Sequence, residues 1–383
     1  MGIKAIHVYS ARLPYREPFR IALGTSIESH NIIVHVITDF EVDGWGEASP
    51  SQRITGETPQ TVIEALDRIA PKLIGMCPLR IEQDIEAMDK IVAGNTSAKA
   101  AIDMALYDIL GKVARRPLYR VLGGYRTKVF TDFTLGIKSP EEMAKDAVKA
   151  VEHGFKALKV KVGIDPEEDV ERVAKIRDAV GSEIAIRIDA NQGWTPEQAV
   201  KTLRKLERFN VEFAEQPVKA DDIEGLAHVR RNSNIPVMAD ETVHSPRDAM
   251  KAIRAEAVDL INIKLMKSGG ILNAMKIAAV AEAAEIPCMI GCMGESTLGI
   301  TAAVHLAAAV KNIQHADLDS DLLLKDDVVA EGKAELKDSF RIPPENPGIG
   351  IKSFNPEKLG KPVRIYGDVN AKQYRIVTSS VSE

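Results

Sequence analysis

The sequence predicts an α/β protein in which a closed parallel β/α barrel follows an N-terminal α+β domain. With 383 residues, the chain exceeds what one ordinary hydrophobic core accommodates, so more than one domain is expected. From Val129 onward, short runs rich in Val and Ile alternate with helical segments, which is typical of a parallel sheet. No glycine-rich phosphate turn follows the first of these strands, so a barrel is favoured over an open doubly wound sheet.

The first part of the chain has the pattern of an antiparallel sheet followed by helices. Apolar residues alternate along three runs, the third ending at Glu47, which predicts a meander of strands. Between Pro59 and Leu122 the apolar spacing becomes that of helices. The two apolar stripes consist of Val62, Leu66, Ile69 and Leu73, and of Ala101, Ala105, Tyr107, Leu110 and Val113. Gly123 and Gly124 then indicate a boundary, so residues 1–125 are assigned to the first domain.

The second domain, residues 126–325, contains eight predicted strands with helices between them. The strands are expected near 129–135, 156–161, 184–189, 211–215, 236–239, 258–263, 287–291 and 313–317. The helices are expected to begin near Pro140, Pro166, Pro196, Asp222, Pro246, Gly270 and Ser296. Proline is favoured in the first turn of a helix, which supports four of these starts. Residues 326–383, weakly strand-like around Tyr374 to Thr378, are expected to pack back on the first domain.

The composition excludes several classes of function. A chain that is 45% hydrophobic and 27% charged is typical of globular proteins. A net charge of −5 gives no electrostatic reason to expect nucleic acid or a membrane as partner. No apolar run is long enough to span a bilayer, no secretory leader is recognisable, and the three cysteines lack zinc-type spacing. We therefore expect a cytoplasmic homo-oligomer that acts on a small neutral or zwitterionic molecule.

Polar side chains recur at the C-terminal ends of five successive predicted strands, where a barrel carries its reacting groups. These ends are Lys159-Val160-Lys161, Asp189-Ala190-Asn191, Glu215-Gln216-Pro217, Asp240-Glu241 and Lys264. One strand-plus-helix repeat separates each end from the next, so the side chains are expected to converge at one mouth. Any one of them alone is more simply explained as a helix cap or a solvated loop residue. Five in succession favour a shared function.

The types of these residues indicate the chemistry. Asp189, Glu215 and Asp240 offer hard oxygen ligands that suit Mg²⁺, and no His or Cys joins them as zinc would favour. A divalent cation bound to a substrate carboxylate stabilises the charge that develops when the adjacent C–H bond breaks. This site therefore predicts proton abstraction next to a carboxylate.

Three lysines complete the predicted site. Lys159 and Lys161 are two apart in a strand and share a face, while Lys264 approaches from across the barrel. Amines on both sides of a carbon remove its proton from one face and return one to the other. The neighbouring ammonium and the bound dication are expected to disfavour protonated lysine. The predicted reaction is 1,1-proton transfer through an enediolate, with inversion at the α-carbon.

With these motifs, the sequence resembles the enolase superfamily, and within it the muconate-lactonizing subgroup. The motifs are the strand ends given above, Ala239-Asp240-Glu241, Asn262-Ile263-Lys264, Trp45-Gly46-Glu47 and Ile54-Thr55-Gly56-Glu57. The resemblance implies a (β/α)7β barrel beneath an α+β capping domain. It also implies that Lys161 and Lys264 are the acid/base pair, that Lys159 supports the enolate, and that the three carboxylates hold Mg²⁺.

Within this subgroup the chain is similar to the dipeptide epimerases. Those enzymes carry Asp-x-Asp at the end of the eighth strand, where Asp317-Leu318-Asp319 stands here. A dipeptide brings an α-ammonium that needs an anionic partner. The alternative is a solvated acidic turn, because further aspartates follow closely. The segment 291–296 also resembles the epimerase seventh strand, and Met293, Gly294 and Thr134 are predicted substrate contacts.

Two positions depart from the epimerases that act on Ala-Glu. Gly24 stands where the resemblance implies an arginine, and Gly294 stands where it implies a bulkier apolar residue and is expected to leave more space. Both argue against strict Ala-Glu specificity, although Arg16 or Arg20 could reach the pocket. The loop around Phe19 to Ser29 is predicted to be a lid.

Other functions remain open from the sequence. An N-acyl or N-succinyl amino acid racemase and an o-succinylbenzoate synthase would use the same lysines and metal. A cycloisomerase is less favoured, because it would have little use for an acidic pair. A barrel without catalytic activity that serves as a binding protein is the alternative from another class.

Overall fold

The structure is a computed structural model that describes residues 1–368. Its N-terminal part is an antiparallel sheet with helices on one side. The strands are β1 (Ile3–Ile21), β2 (Gly24–Thr38) and β3 (Asp43–Ala48), and the helices are α1 (Pro59–Leu73), α2 (Ile81–Ile91), α3 (Thr96–Val113) and α4 (Leu118–Val121). A strand from the C-terminal segment, β17 (Arg364–Gly367), pairs with β1 on the outer edge. The predicted strand around Tyr374 to Thr378 lies outside the described residues.

A second sheet of eight parallel strands forms the barrel, with the strands in chain order. A short strand, β4 (Val129–Phe130), precedes it. The barrel strands are β5 (Phe133–Leu135), β6 (Ala157–Lys161), β7 (Ala185–Asp189), β8 (Val211–Glu215), β9 (Val237–Ala239), β10 (Leu260–Lys264), β11 (Cys288–Gly291) and β12 (Ile313–Ala316). The first and last strands meet where the Asp132 N–H donates to the Ala316 carbonyl, 3.3 Å away. The predicted barrel with its capping domain is confirmed.

Seven helices connect these strands on the outside of the barrel. They are α5 (Pro140–Glu152), α6 (Pro166–Val180), α7 (Pro196–Leu206), α8 (Ile223–Arg231), α9 (Pro246–Arg254), α11 (Ile271–Ala283) and α12 (Thr297–Ala309). Two single turns, a 3-10 helix at Glu207–Phe209 and α10 (Leu265–Ser268), lie between them. The predicted helix starts agree with the structure, and at Pro140, Pro166, Pro196 and Pro246 a side-chain cap and a proline coincide. Ser139 and Thr195, for example, form capping boxes before Pro140 and Pro196.

The chain after β12 forms short elements. They are α13 (Ser320–Leu323), β13 (Val329–Glu331), β14 (Glu335–Lys337), β15 (Phe340–Ile342), β16 (Ser353–Phe354) and α14 (Pro356–Leu359). The sequence predicts one strand over 129–135, but β4 pairs with β15 outside the barrel and only β5 enters it. Between them, Asp132 turns inward and forms a buried ion pair with Arg187 at 2.8 Å. A buried carboxylate needs such a partner, and hydrophobic periodicity does not reveal one.

Helix α3 joins the capping domain to the barrel. It is buried on nearly all sides because it lies between β3 and the helices α10 and α11. Gly44 and Gly46 allow the close approach of β3, since a Cβ on either would lie 2.0 Å from a carbonyl oxygen of α3. Asp103 accepts hydrogen bonds from the first N–H groups of α11, and burial raises the pKa of this carboxyl to about 7. The second apolar stripe predicted from the sequence is wrong at its last residue, because Val113 is exposed at the end of α3.

The segment Phe19 to Ser29, which the sequence predicts to be a loop, consists largely of paired strand, and its action as a lid stays a prediction. It forms the tip of a long hairpin in which β1 and β2 remain paired up to Ile21 and Gly24. The Ile137 N–H donates to the Arg20 carbonyl at 2.8 Å, so this tip rests on the chain that follows β5. None of the helices within residues 1–368 has the length and apolar character of a membrane span.

Candidate active site

Three carboxylates lie together at the C-terminal ends of neighbouring barrel strands. Asp189 ends β7, Glu215 ends β8, and Asp240 follows directly after β9. One oxygen of each lies within 4.8 Å of the others, and all three side chains are buried. Parallel pairing sets Asp189 beside Glu215, so the strand register itself brings these two groups together. The cluster predicted from the sequence therefore exists.

The three carboxylates of this cluster differ in pKa. Burial, and then the charge of Asp189, raises the pKa of Glu215 to about 8. Burial alone would also raise the pKa of Asp240, but Lys264 and Lys267 outweigh it and hold that pKa well below its usual range. Like charges this close disfavour each other's ionisation. Glu215 is therefore the carboxylate of the three whose ionised form gains most from a bound divalent cation.

The same carboxylates fit a hard divalent cation. Within the described residues, Glu215 Oε2 and Asp240 Oδ1 are buried and accept no well-oriented hydrogen bond, although Lys159 and Lys267 nitrogens lie 2.8 and 2.7 Å away. Both oxygens would serve as ligands where a cation replaces these lysine contacts. Three carboxylate oxygens with no nitrogen or sulfur among them match the preference of Mg²⁺.

Two lysines flank the three carboxylates. Lys161 ends β6 and its Nζ donates to Asp189 at 2.6 Å, whereas Lys264 ends β10 and its Nζ donates to Asp240 at 2.6 Å. The strands β7, β8 and β9 that carry the carboxylates separate these two lysines. Both side chains are buried. Their amines therefore approach the cluster from opposite sides, as the sequence predicts.

The protonation of Lys264 depends mainly on its carboxylate partner. Burial alone would lower the pKa of this lysine, but the Asp240 carboxylate outweighs burial and the pKa is raised. The expectation that a neighbouring ammonium and a bound dication disfavour protonated lysine stays a prediction, because it includes the charge of the ion.

Lys159 has a different setting from the other two lysines. It is 1% exposed, and its Nζ lies 2.7 Å from Asp317, 2.8 Å from Glu215 and 3.1 Å from Asp189. Burial would lower its pKa, but Asp317 and Glu215 outweigh burial and raise the pKa well above its ordinary value. A lysine held protonated in this way suits the stabilisation of negative charge better than the removal of a proton.

Asp317 and Asp319 follow β12 and face the same mouth. They are 4% and 2% exposed, so the alternative of a solvated acidic turn is wrong. Thr134 on β5 holds both, since its hydroxyl donates to Asp317 at 3.1 Å and its N–H donates to Asp319 at 2.5 Å. The predicted pair and the predicted threonine are therefore in contact.

The two aspartates carry different charges. Burial would raise the pKa of Asp317, but Lys159 outweighs it and the pKa is lowered. Burial, and then repulsion from Asp317, raises the pKa of Asp319 to about 7. No lysine or arginine within residues 1–368 forms an ion pair with Asp319, and the Cys292 thiol lies 3.8 Å away. Asp319 is thus the carboxylate of this pair whose charge is available to a ligand.

The space next to Gly294 is filled by the capping domain. A Cβ on Gly294 would lie 2.6 Å from Ser29 Oγ and 2.8 Å from the hydroxyl of Tyr15. The Gly294 carbonyl also accepts hydrogen bonds from Ser29 and Asn31 at 2.7 and 2.8 Å. The expectation that this glycine leaves more room is therefore wrong. Tyr15, which the sequence analysis missed, lies at this contact.

An arginine lies beside Gly24 after all. A Cβ on this residue would lie 2.6 Å from the guanidinium carbon of Arg53, which extends from the loop after β3. Gly24 therefore does not by itself show that an arginine is missing here, because Arg53 occupies the adjoining space. Arg16, one of the two alternatives, instead donates to the Leu322 carbonyl at 3.0 Å. Met293 is partly exposed, and its N–H donates to Glu295 at 2.5 Å.

Two further residues that the sequence analysis did not assign support the carboxylates. Asn262 donates to Glu215 at 2.8 Å, and Lys267 lies 2.7 Å from a carboxylate oxygen of Asp240 while donating to three backbone carbonyls. Asn262 is two residues before Lys264 in β10, so alternation along the strand already placed both on the inner face. Lys267 follows the strand within α10, and no pattern in the sequence singled it out.

Comparison with known proteins places this arrangement in context. Residues 3–123 match the N-terminal domain of the mandelate racemase / muconate lactonizing enzyme family, and residues 142–357 match the enolase C-terminal domain-like family. A protein of Clostridium acetobutylicum named L-Ala-D/L-Glu epimerase is 45% identical over 93% of this chain and all of its own length.

Two more relatives bear on the site. The structure of a dipeptide epimerase from Enterococcus faecalis, complexed with Mg and the dipeptide L-Leu-L-Tyr, is 47% identical and superposes with a TM-score of 0.90. The match covers 92% of this chain and 99% of that one. An N-succinyl-L-Arg/Lys racemase of Bacillus cereus is 40% identical over 92% of this chain and 95% of its own length.

Proposed function

We propose that this chain, which belongs to the mandelate racemase / muconate lactonizing enzyme family of the enolase superfamily, is a dipeptide epimerase. It is an isomerase that inverts the α-carbon next to the C-terminal carboxylate of an L,L-dipeptide. Relatives at 45% and 47% identity carry epimerase names, and one is complexed with a dipeptide.

One observation carries the proposal more than any other. Lys161 and Lys264 reach the three carboxylates from opposite sides, each at 2.6 Å from a different aspartate. A racemising enzyme needs one acid/base group on each face of the reacting carbon, because the proton leaves from one side and returns on the other. A dehydratase needs no such symmetry. The pair therefore favours inversion.

We assign Asp189, Glu215 and Asp240 as the residues that hold Mg²⁺. When bound, the ion neutralises the substrate carboxylate and so stabilises the charge that develops as the α-C–H bond breaks. The two carboxylate oxygens that accept no well-oriented hydrogen bond and the raised pKa of Glu215 support this assignment.

The lysines carry the proton. In one direction the neutral amine of one lysine takes the α-proton and becomes an ammonium, and the C–H electron pair moves into the enediolate. The ammonium of the opposite lysine then donates a proton to the same carbon from the other face. In the reverse direction the roles exchange. Lys159, which stays protonated beside Asp317, supplies positive charge near the developing oxyanion.

The N-terminal ammonium of the dipeptide is assigned to Asp319. Its carboxylate has no cationic partner within the described chain, whereas Asp317 is paired with Lys159 at 2.7 Å. An ammonium that enters beside Asp319 supplies the missing charge. An N-succinyl group brings no positive charge, so the same carboxylate disfavours the substrates named for the Bacillus cereus racemase.

The test is a mass-shift screen in D₂O over a library of L,L-dipeptides. We expect incorporation of one deuterium at the C-terminal α-carbon and the appearance of the L,D epimer. N-succinyl amino acids tested in parallel are expected to exchange much more slowly. Exchange of N-succinyl amino acids but not of dipeptides would favour the racemase, and no exchange of either class would contradict an isomerase of this type. The cytoplasmic location and the homo-oligomeric state stay predictions.

A further inference from the structure

The two lysines that flank the carboxylates are not held in the same way. Lys264 Nζ donates within residues 1–368 to Asp240 alone. Lys161 Nζ donates to Asp189 at 2.6 Å and also to the side-chain oxygen of Asn191 at 3.1 Å. Asp189 and Asp240 are both assigned to the cation, so Asn191 is the one partner of either lysine that is not itself a metal ligand.

Asn191 is fixed from two further directions. Its backbone has φ 40°, in the left-handed region that asparagine tolerates, and its N–H donates to Asp189 at 2.9 Å. Its side-chain NH₂ donates to Glu241 Oε1 at 3.1 Å, and both side chains are buried. The amide oxygen accepts from Lys161 and the amide NH₂ donates to Glu241 Oε1, so Glu241 and Lys161 together fix which end of the amide faces the lysine.

The position of Glu241 is not explained by stability. Its second oxygen, Oε2, is buried without any hydrogen-bond partner within the described residues. Leaving a buried carboxylate oxygen without a donor costs free energy, and a residue serving only the fold would be expected to be better satisfied. Within the described residues, the one hydrogen bond that the Glu241 side chain accepts comes from Asn191, so its effect on Asn191 is the role that its contacts support.

We propose that Asn191 and Glu241 are positioning residues for Lys161 and act on one face of the substrate only. A lysine that takes a proton must present its lone pair to the carbon, and the Nζ–H bond to Asn191 limits the rotation of the amine. Lys264, which has no such partner among residues 1–368, does not depend on the pair. The proposal rests on the assignment of the two lysines as the acid/base pair under the proposed function.

Deuterium exchange at the substrate α-carbon, measured in D₂O for each epimer separately, reports on each face of that carbon in turn. Lys161→Ala identifies the epimer that Lys161 serves, because exchange from that epimer is lost. In Glu241→Gln the new amide can donate to Asn191 and turn its NH₂ toward Lys161. We expect this variant and Asn191→Ala to slow exchange from that same epimer by roughly 10- to 100-fold, with the other epimer much less affected. We expect kcat to fall more than KM changes.

A double-mutant cycle and a matched control decide between positioning and general damage. If Glu241 acts through Asn191, Glu241→Gln has no further effect in the Asn191→Ala background. Asn262→Ala removes a comparable buried amide from Glu215 and is expected not to single out the face of Lys161. Thermal unfolding shows whether each variant folds. If Glu241→Gln does not fold, Asn191→Ala still tests the proposal.

Equal slowing of both epimers in Asn191→Ala, or the same asymmetry in Asn262→Ala, would overturn the proposal. An independent effect of Glu241→Gln in the absence of Asn191 would do so as well. These outcomes differ from failure of the proposed function, in which the unmodified enzyme exchanges no dipeptide α-proton at all.

Discussion

Replacing Asp319 by asparagine tests the recognition of the substrate ammonium. The change removes one negative charge but keeps an oxygen that can accept from the Thr134 N–H, now 2.5 Å from the carboxylate. Asp319 is the member of its pair whose charge a substrate ammonium would meet, because the charge of Asp317 is already balanced by Lys159 at 2.7 Å. A charged hydrogen bond contributes about 1.5–3 kcal/mol. We therefore expect kcat/KM for dipeptides to fall by roughly tenfold to a hundredfold.

The assay compares a free dipeptide with its N-acetylated form, using the rate of α-proton exchange in D₂O. The acetylated form has no ammonium, so Asp319→Asn is expected to leave its rate unchanged or to raise it. Thermal unfolding of the variant checks that the Thr134 contact is retained. An equal loss for both substrates, or a change below about twofold for the dipeptide, would refute ammonium recognition by Asp319.

Three further predictions follow from the same site. Because the pKa of Asp319 is raised to about 7, its carboxyl group is neutral below that pH, so kcat/KM for dipeptides should rise as the pH increases through about 7. The pH profile of Asp319→Asn should lack this rise, and a profile identical to that of the unmodified enzyme would contradict the prediction. Removal of divalent ions with EDTA should abolish exchange and Mg²⁺ should restore it, whereas full activity in chelator would argue against the carboxylate site. Gly294→Ala places a Cβ 2.6 Å from Ser29 Oγ and should lower the free energy of unfolding in urea by about 1–3 kcal/mol, part of which should be recovered in the Ser29→Gly background. Wild-type stability of Gly294→Ala would show that the capping domain is not packed against this residue.

The parts of the fold that could be predicted are those set by local patterns. Proline and a capping side chain together fix the starts of helices such as the one at Pro140, and alternation along a strand places Lys159 and Lys161 on one face. The site could be predicted for a related reason. In a parallel barrel all strand ends meet at one mouth, so carboxylates and lysines at successive ends had to converge.

The parts that could not be predicted depend on contacts between distant segments. Lys159 pairs with Asp317, 158 residues away, and this pairing decides which aspartate is free for a ligand. Tyr15 and Ser29 fill the space beside Gly294, and Arg53 fills the space beside Gly24. At Gly294 the absence of a side chain suggested a void, and at Gly24 it suggested a missing arginine, although a neighbouring segment fills the space in each case. Periodicity along the chain carries no information on such packing between the capping domain and the barrel.

The central claim is that Lys161 and Lys264 serve opposite faces of one carbon. The most direct measurement is deuterium exchange at the C-terminal α-carbon of the L,L and the L,D dipeptide, in Lys161→Ala and in Lys264→Ala separately. Each variant is expected to lose epimerisation, and each is expected to lose exchange from a different epimer while the remaining lysine still exchanges the other. Loss of exchange from the same epimer in both variants, or undiminished epimerisation in either, would contradict the account.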